Sequence, residues 1–187
     1  KTLDFHAKVN LSASKGKVGT LLLDPDAIEI KGGPGEGMST AADGTDRFKG
    51  TTTDGTILFD DPEITTPSPP VSYIYQSEIQ GLSSAAVVIE ARNYISTSGT
   101  FTNGELLIPN NSNLTLRTRN GYLDSTGLKG INLTGSTDGA DLKIHAQGTG
   151  TITIETGKGT TPQAADILLP KLITDGGTVT VDGTGVV

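Results

Sequence analysis

The sequence predicts an all-β chain wound as a parallel β-helix, and three observations carry that prediction. Short aliphatic segments alternate with a period of two: LTLRT, INLTG, LKIHA, ITIET and VTVDG each place apolar residues two apart and run soon into glycine or a polar turn. Strands with one buried face have that pattern. The segments also recur at a fixed distance. GTITIETG (Gly150 to Gly157) and GTVTVDGTG (Gly177 to Gly185) lie 27 positions apart, and Val87 and Ile89 precede Leu114 and Leu116 by the same 27. A strand-only repeat of this size fits one turn of a β-solenoid. Composition agrees, with 25 Gly, 28 Thr, no Trp and 34% hydrophobic residues in 187. A narrow interior of Val, Ile and Leu, with corners of Gly, Asn, Asp and Pro, needs no more.

The elements follow in order. From Phe5 to Leu11 the apolar residues alternate (Phe5, Ala7, Val9, Leu11), which predicts a first strand before a polar turn at 12–19. In GTLLLDPDAIEI, Leu21 to Leu23 form a segment too short and too β-favourable for a helix. Pro25 then removes a ladder donor and bends the chain, and Ile28 and Ile30 resume the alternation. GTILFDDPEI (Gly55 to Ile64) repeats this pattern, which predicts the same strand and corner at a second level of the stack. Between the two copies, residues 31–55 are glycine-rich with little but Met38 and Phe48 to bury, so a first irregular excursion is expected there. A second is expected near 65–78, where three prolines precede Val71, Tyr73 and Tyr75 on alternate positions of an extended segment.

Beyond Leu82 the β-branched run Val87-Val88-Ile89 favours a strand over a helix. Ile131, Leu142 and Ile152, separated by 11 and then 10 positions, read as successive sides of one coil. Five short strands with no helix between them complete an all-β pattern. Coils of roughly 25 residues stacked at about 4.8 Å would give about six levels. An uncapped stack exposes pairing edges at both ends, to be covered by neighbouring coils or another copy of the chain. The expected organisation is a single β-helix domain, 1–187, cut from a longer repeat array: the start KTLDFH lacks the features of a signal peptide, and TVTVDG near the end is itself a strand pattern.

A net charge of −7 with 14 scattered basic residues argues against nucleic acid as a partner, since phosphate neutralisation needs clustered Lys and Arg. No apolar run reaches 18 residues, so no membrane span is expected. The absence of Cys excludes a disulfide framework and is compatible with an exported protein.

GTLLLDPDAIEI, preceded by VNLSASKGKV, resembles segments of filamentous-haemagglutinin-like proteins, large bacterial surface adhesins exported by two-partner secretion. AAVVIEARNYISTSGTF, SNLTLRTRN, GINLTGS and GTGTITIETG resemble degenerate coils of the same family, so the likeness spans Val9 to Ile30 and Ala85 to Glu155. An Asn-Pro-Asn-Gly type secretion motif is missing, and recognition by an outer-membrane secretion partner is not carried over. The resemblance implies a right-handed coil, the general bias of parallel crossovers, and a location outside the cell or on its surface. The role it implies is adhesion or matrix structure, with a host or matrix surface, including its carbohydrate, as partner.

Candidate chemistry is sparse. Asp24, Asp26, Asp60 and Asp61 would bring carboxylates together if the two Asp-Pro corners stack, which makes them weak calcium candidates beside ordinary turn chemistry. No other cofactor is expected. His6 and His145 stand on alternating patterns at outward phase, where a solvated strand histidine is the default, as it is for Arg92, Arg117 and Arg119. Tyr73, Tyr75, Tyr94 and Tyr122 are candidates for stacking on sugar rings, against the more frequent packing of a loop onto the coil. Asn10, Asn110, Asn113 and Asn132 begin Asn-x-Ser/Thr triplets and read as turn and outer-face residues. No Gly-x-Ser-x-Gly elbow and no phosphate-cradling loop occurs. The leading expectation is therefore a non-enzymatic structural or adhesive segment. The alternatives are a self-assembling extracellular fibre subunit, joined through open coil ends, and a β-helical polysaccharide hydrolase or lyase with two or three acids in a groove.

Overall fold

The computed structural model describes residues 20–23, 27–34, 72–81, 86–119, 130–158 and 165–183. The expected strand at 5–11, most of the first excursion and the second Asp-Pro copy at 55–64 lie outside them. The described chain is all-β and its strand pairing is parallel throughout.

Three sheets are built. The first takes β1 (Thr20–Leu23), β4 (Ala86–Ala91), β7 (Asn113–Thr118), β10 (Ile152–Thr156) and β13 (Val179–Gly183), in that spatial order. The second has the order β11 (Asp166–Leu168), β8 (Gly130–Asn132), β5 (Tyr94–Ser98), β2 (Ala27–Lys31), β3 (Ser72–Tyr75). The third has the order β12 (Lys171–Thr174), β9 (Lys143–Ala146), β6 (Glu105–Ile108). From β4 to β13 the chain visits the first, second and third sheet in strict rotation. Ile131, Leu142 and Ile152 accordingly fall at or beside β8, β9 and β10, one for each sheet.

Register explains the sequence spacing. Val87 lies beside Leu114, Leu114 beside Ile152 and Ile152 beside Val179, steps of 27, 38 and 27 residues. In the second sheet, Tyr94 to Gly130 and Gly130 to Asp166 are steps of 36. The 27-residue spacing in the sequence thus marks true neighbours, and the longer steps absorb extra residues in the turns. The rows Val87–Leu114–Ile152 and Ile89–Leu116–Ile154 are fully buried and meet Ile30, Ile95 and Ile131 of the second sheet and Leu106, Ile108 and Ile144 of the third in one aliphatic cluster. Each such side chain contributes about 1.5–3 kcal/mol by burial. Alternate residues point outward and are polar or half-buried.

Two glycines show why the turns are spelled as they are. A Cβ on Gly177 would stand 1.9 Å from the Gly150 carbonyl oxygen, so the shared Gly-Thr of the 27-residue repeat lets two stacked corners close on one another. Gly130 has φ +88°, and a Cβ there would lie 2.2 Å from the Asp166 oxygen.

The second excursion is described from residue 72 onward. Its far end forms β3, which adds to the edge of β2, and then a helix, α1 (Gln76–Gln80), where the sequence pattern holds no helix. One turn and a half is too short to write an amphipathic stripe. Local bonds define it instead: Glu78 Oε2 accepts from the Tyr75 amide at 2.7 Å, and the Gly81 amide donates to the Ser77 carbonyl at 2.9 Å. Gln76, buried, docks the helix: its Nε2 donates to the Glu105 carbonyl at 2.8 Å, and its Oε1 accepts from the Gly33 and Thr102 amides, each at 2.9 Å. Ile79 enters the core cluster. The β6 edge is therefore covered by α1. At the opposite end, β11, β12 and β13 are edge strands, and Leu168, Val179 and Val181 are exposed.

Candidate functional site

The outer face of the third sheet concentrates the polar chemistry. Its outward residues form two rows set by register: Glu105, Lys143 and Lys171 in one, Leu107, His145 and Ile173 in the other. Strand alternation points these side chains outward while Leu106, Ile108, Ile144 and Ala146 are buried behind them. Leu107 and Ile173 flank the imidazole, whose side chain keeps only 21% of its exposure.

Both ring nitrogens of His145 are engaged. Nδ1 lies 2.8 Å from Glu105 Oε1 and Nε2 lies 2.8 Å from Asp175 Oδ1. Asp175 sits just past β12, and its Oδ2 accepts from the Gly148 amide at 3.2 Å. The hydrogen bond to Asp175 is the largest influence raising the His145 pKa, with the Glu105 hydrogen bond and both negative charges adding to it against desolvation. The Asp175 carboxyl is in turn pushed down, first by His145 and then by the Gly148 N–H. In its protonated form an imidazole held between two carboxylates donates from both nitrogens. So placed, the ring joins β6 and β9 to the turn after β12.

Beside this cluster runs a groove of about 510 Å³ lined in part by Asn103, Thr137, Asp138, Asp141, Lys143 and Lys171. Asp138 is partly committed, since its Oδ2 accepts from the Phe101 amide at 2.9 Å. Glu105, the acid in register with Lys143, turns to His145 instead. The groove lining holds two cations and two carboxylates and no aromatic face, so neither charge nor stacking selects a ligand class.

The first sheet carries an ionic row of its own. Glu90, Arg117, Glu155 and Asp182 are in register on neighbouring strands. Arg117 Nε donates to Glu155 Oε2 at 2.7 Å and Nη1 to Glu90 Oε2 at 3.2 Å, while Arg119 Nε is 3.3 Å from Glu90 Oε1. Lys158 pairs with Asp182. The Arg117 pKa is raised chiefly by its Glu155 hydrogen bond, so this guanidinium is a cross-strand tie rather than a free outward cation.

The residues singled out from the sequence are dispersed. Asp24, Asp26, Asp60 and Asp61, together with His6 and Tyr122, lie outside the described residues. Among the described residues no group of three or more His, Asp or Glu side chains is placed to hold a metal ion. Tyr73 is half-buried with the Lys31 ammonium 4.2 Å from its ring centroid, Tyr75 is buried, and Tyr94 is half-buried two strands away on β5. They form no common stacking platform. Two of the Asn-x-Thr asparagines act on the backbone: Asn113 Oδ1 accepts from the Thr151 amide and hydroxyl, each at 3.0 Å, and Asn132 Oδ1 from those of Thr134 at 3.0 and 2.8 Å. The His145 cluster escapes a sequence reading because its members are 40 and 30 positions from the histidine. The 38- and 28-residue steps of the third sheet bring them together. Among the described residues no helix is long and apolar enough to cross a membrane. Compared with known protein families, curated proteins and solved structures, the chain finds no match.

Proposed function

We propose that this chain is a segment of right-handed parallel β-helix serving as a structural or adhesive part of a secreted bacterial cell-surface or extracellular-matrix protein. The observation that carries the proposal is the strict rotation of strands through three parallel sheets, with in-register aliphatic rows meeting in one core. Such a design makes an extended, stiff body whose outer faces vary freely, which is what a surface scaffold needs. The likeness of GTLLLDPDAIEI and GTGTITIETG to filamentous-haemagglutinin-like segments supports the same reading. Its adhesive part is tested with beads coated with the chain and challenged with extracellular matrix and with bacterial exopolysaccharide. Retention above an unrelated acidic β-solenoid of similar size is expected, and equal retention overturns adhesion.

A second reading, a self-assembling fibre subunit, is favoured by one feature: the exposed Leu168, Val179 and Val181 beside the open edges of β11 and β13. Sedimentation and electron microscopy at high concentration separate the two, since filaments or end-joined dimers support assembly and a monodisperse 19.3 kDa particle refutes it.

A further inference from the structure

We propose that Glu105, His145 and Asp175 form a proton-operated clasp that fastens the edge strands β12 and β13 to the body of the protein and loosens as the pH rises. The inference concerns regulation of the edge formed by β12 and β13 and stands apart from the adhesive reading.

Two strands of the third sheet and the turn that follows its third strand meet at this histidine. Glu105 belongs to β6, His145 to β9, and Asp175 to the turn that carries the chain from β12 to β13. Asp175 is tied down further by the Gly148 amide, by its own amide donating to the Ala146 carbonyl at 3.2 Å, and by Thr174 Oγ1 donating to the Gly177 carbonyl at 2.9 Å in the same turn. Beyond that turn β13 is exposed along its length and lies at the edge of the first sheet, held there by its parallel ladder to β10. Losing the turn at Asp175 therefore leaves β13 held by its ladder to β10 and, among the described residues, by the Lys158–Asp182 pair.

The proton is essential for a geometric reason. An imidazolium donates from both nitrogens, one to each carboxylate. A neutral imidazole has a single N–H and turns a lone pair toward the other carboxylate, so one contact becomes repulsive. The other charged groups on this outer face are Lys143, two residues earlier on β9, and Lys171, beside it on β12. Glu78 of α1, the helix beneath β6, is engaged with the Tyr75 amide. The raised His145 pKa means that the clasp contributes fully below the unfolded histidine value and is lost as pH climbs through the folded one. The lowered Asp175 pKa adds an acid limit: that contribution is present above the unfolded carboxyl value and lost as pH falls through the folded one. The clasp is closed between these limits.

The experiment is amide hydrogen exchange of the full chain across pH 6 to 9, corrected for intrinsic rates, with the two histidines followed by NMR and assigned with His145→Gln. Protection over Lys171–Gly183 should fall roughly three- to tenfold relative to β7 and β10, with the midpoint at the His145 titration and above the ordinary histidine value. In His145→Gln and in Asp175→Asn the pH-dependent part should vanish, and the second variant keeps the imidazole and its Glu105 contact. An ordinary His145 pKa, unchanged relative protection across the range, or the same pH dependence in both variants would each overturn the proposal.

Discussion

Ile154 and Val181 occupy the same row on neighbouring strands, yet truncating them should have very different consequences. Ile154 is fully buried between Leu116 and Val181, whereas Val181, one strand further out, is 49% exposed. In Ile154→Ala the missing atoms leave a hole that cannot close, because the parallel ladders hold the strands of this sheet about 4.8 Å apart on both sides. The loss should lie in the middle of the usual range for Ile→Ala, about 3–4 kcal/mol. Val181→Ala removes two methyl groups that already meet water over about half their surface, so about 0.5 kcal/mol is expected. For a domain of this size each kcal/mol lowers the unfolding midpoint by about 2–4 °C. A drop of roughly 6–16 °C for the first variant thus stands against about 1–2 °C for the second. Differential scanning calorimetry at low protein concentration measures both. Equal losses at the two positions would refute the reasoning, since they would mean that Val181 is covered or that the row does not face one shared core. Repeating the Val181→Ala measurement at high concentration separates those cases, because a cost that grows with concentration marks a second copy over the edge.

Gly177→Ala should destabilise by about 1–3 kcal/mol in urea unfolding, since its Cβ would stand 1.9 Å from a backbone oxygen. Gly176→Ala, whose Cβ would be 3.2 Å from the Gly148 oxygen, should cost less, and equal effects would discount the tight corner. Gln76→Ala leaves two amides and a carbonyl without their side-chain partner at the α1 end and should lower stability by about 2–4 kcal/mol, read by circular dichroism during denaturant unfolding. Arg117→Ala should cost only about 0.5–1 kcal/mol, because its side chain is a third exposed. Most of that difference should disappear in 1 M salt, and a salt-independent loss would point to packing of the arginine stem instead.

Much of the architecture is legible in the residues themselves. Alternation at Leu114/Leu116, Ile152/Ile154 and Ile144/Ala146 identifies strands and their inner faces, since side-chain direction in a strand depends only on sequence parity. The 27-residue spacing yields correct register for β4 with β7 and for β10 with β13, because corners of equal length leave equivalent residues stacked. Where corners differ, as in the 38-residue step from Leu114 to Ile152, the partner is hidden by added loop residues. The helix α1 was illegible for a related reason: its hold on the protein is Gln76 bonding to Gly33, Thr102 and Glu105, which no local window contains.

The sequence by itself determined the strand content, the aliphatic rows and the need for glycine at the turns, all of which follow from short-range sterics and from the separation of apolar from polar side chains. Tertiary structure alone decided which strands neighbour one another across unequal loops. It thereby decided that a histidine predicted to face solvent should sit between two carboxylates, that an outward arginine should span two glutamates, and that one edge is covered by a helix while, among the described residues, the other is formed by β11, β12 and β13. The physical reason is that these depend on contacts between residues tens of positions apart, whose meeting is set by loop length and backbone pairing rather than by any property of the residues that meet.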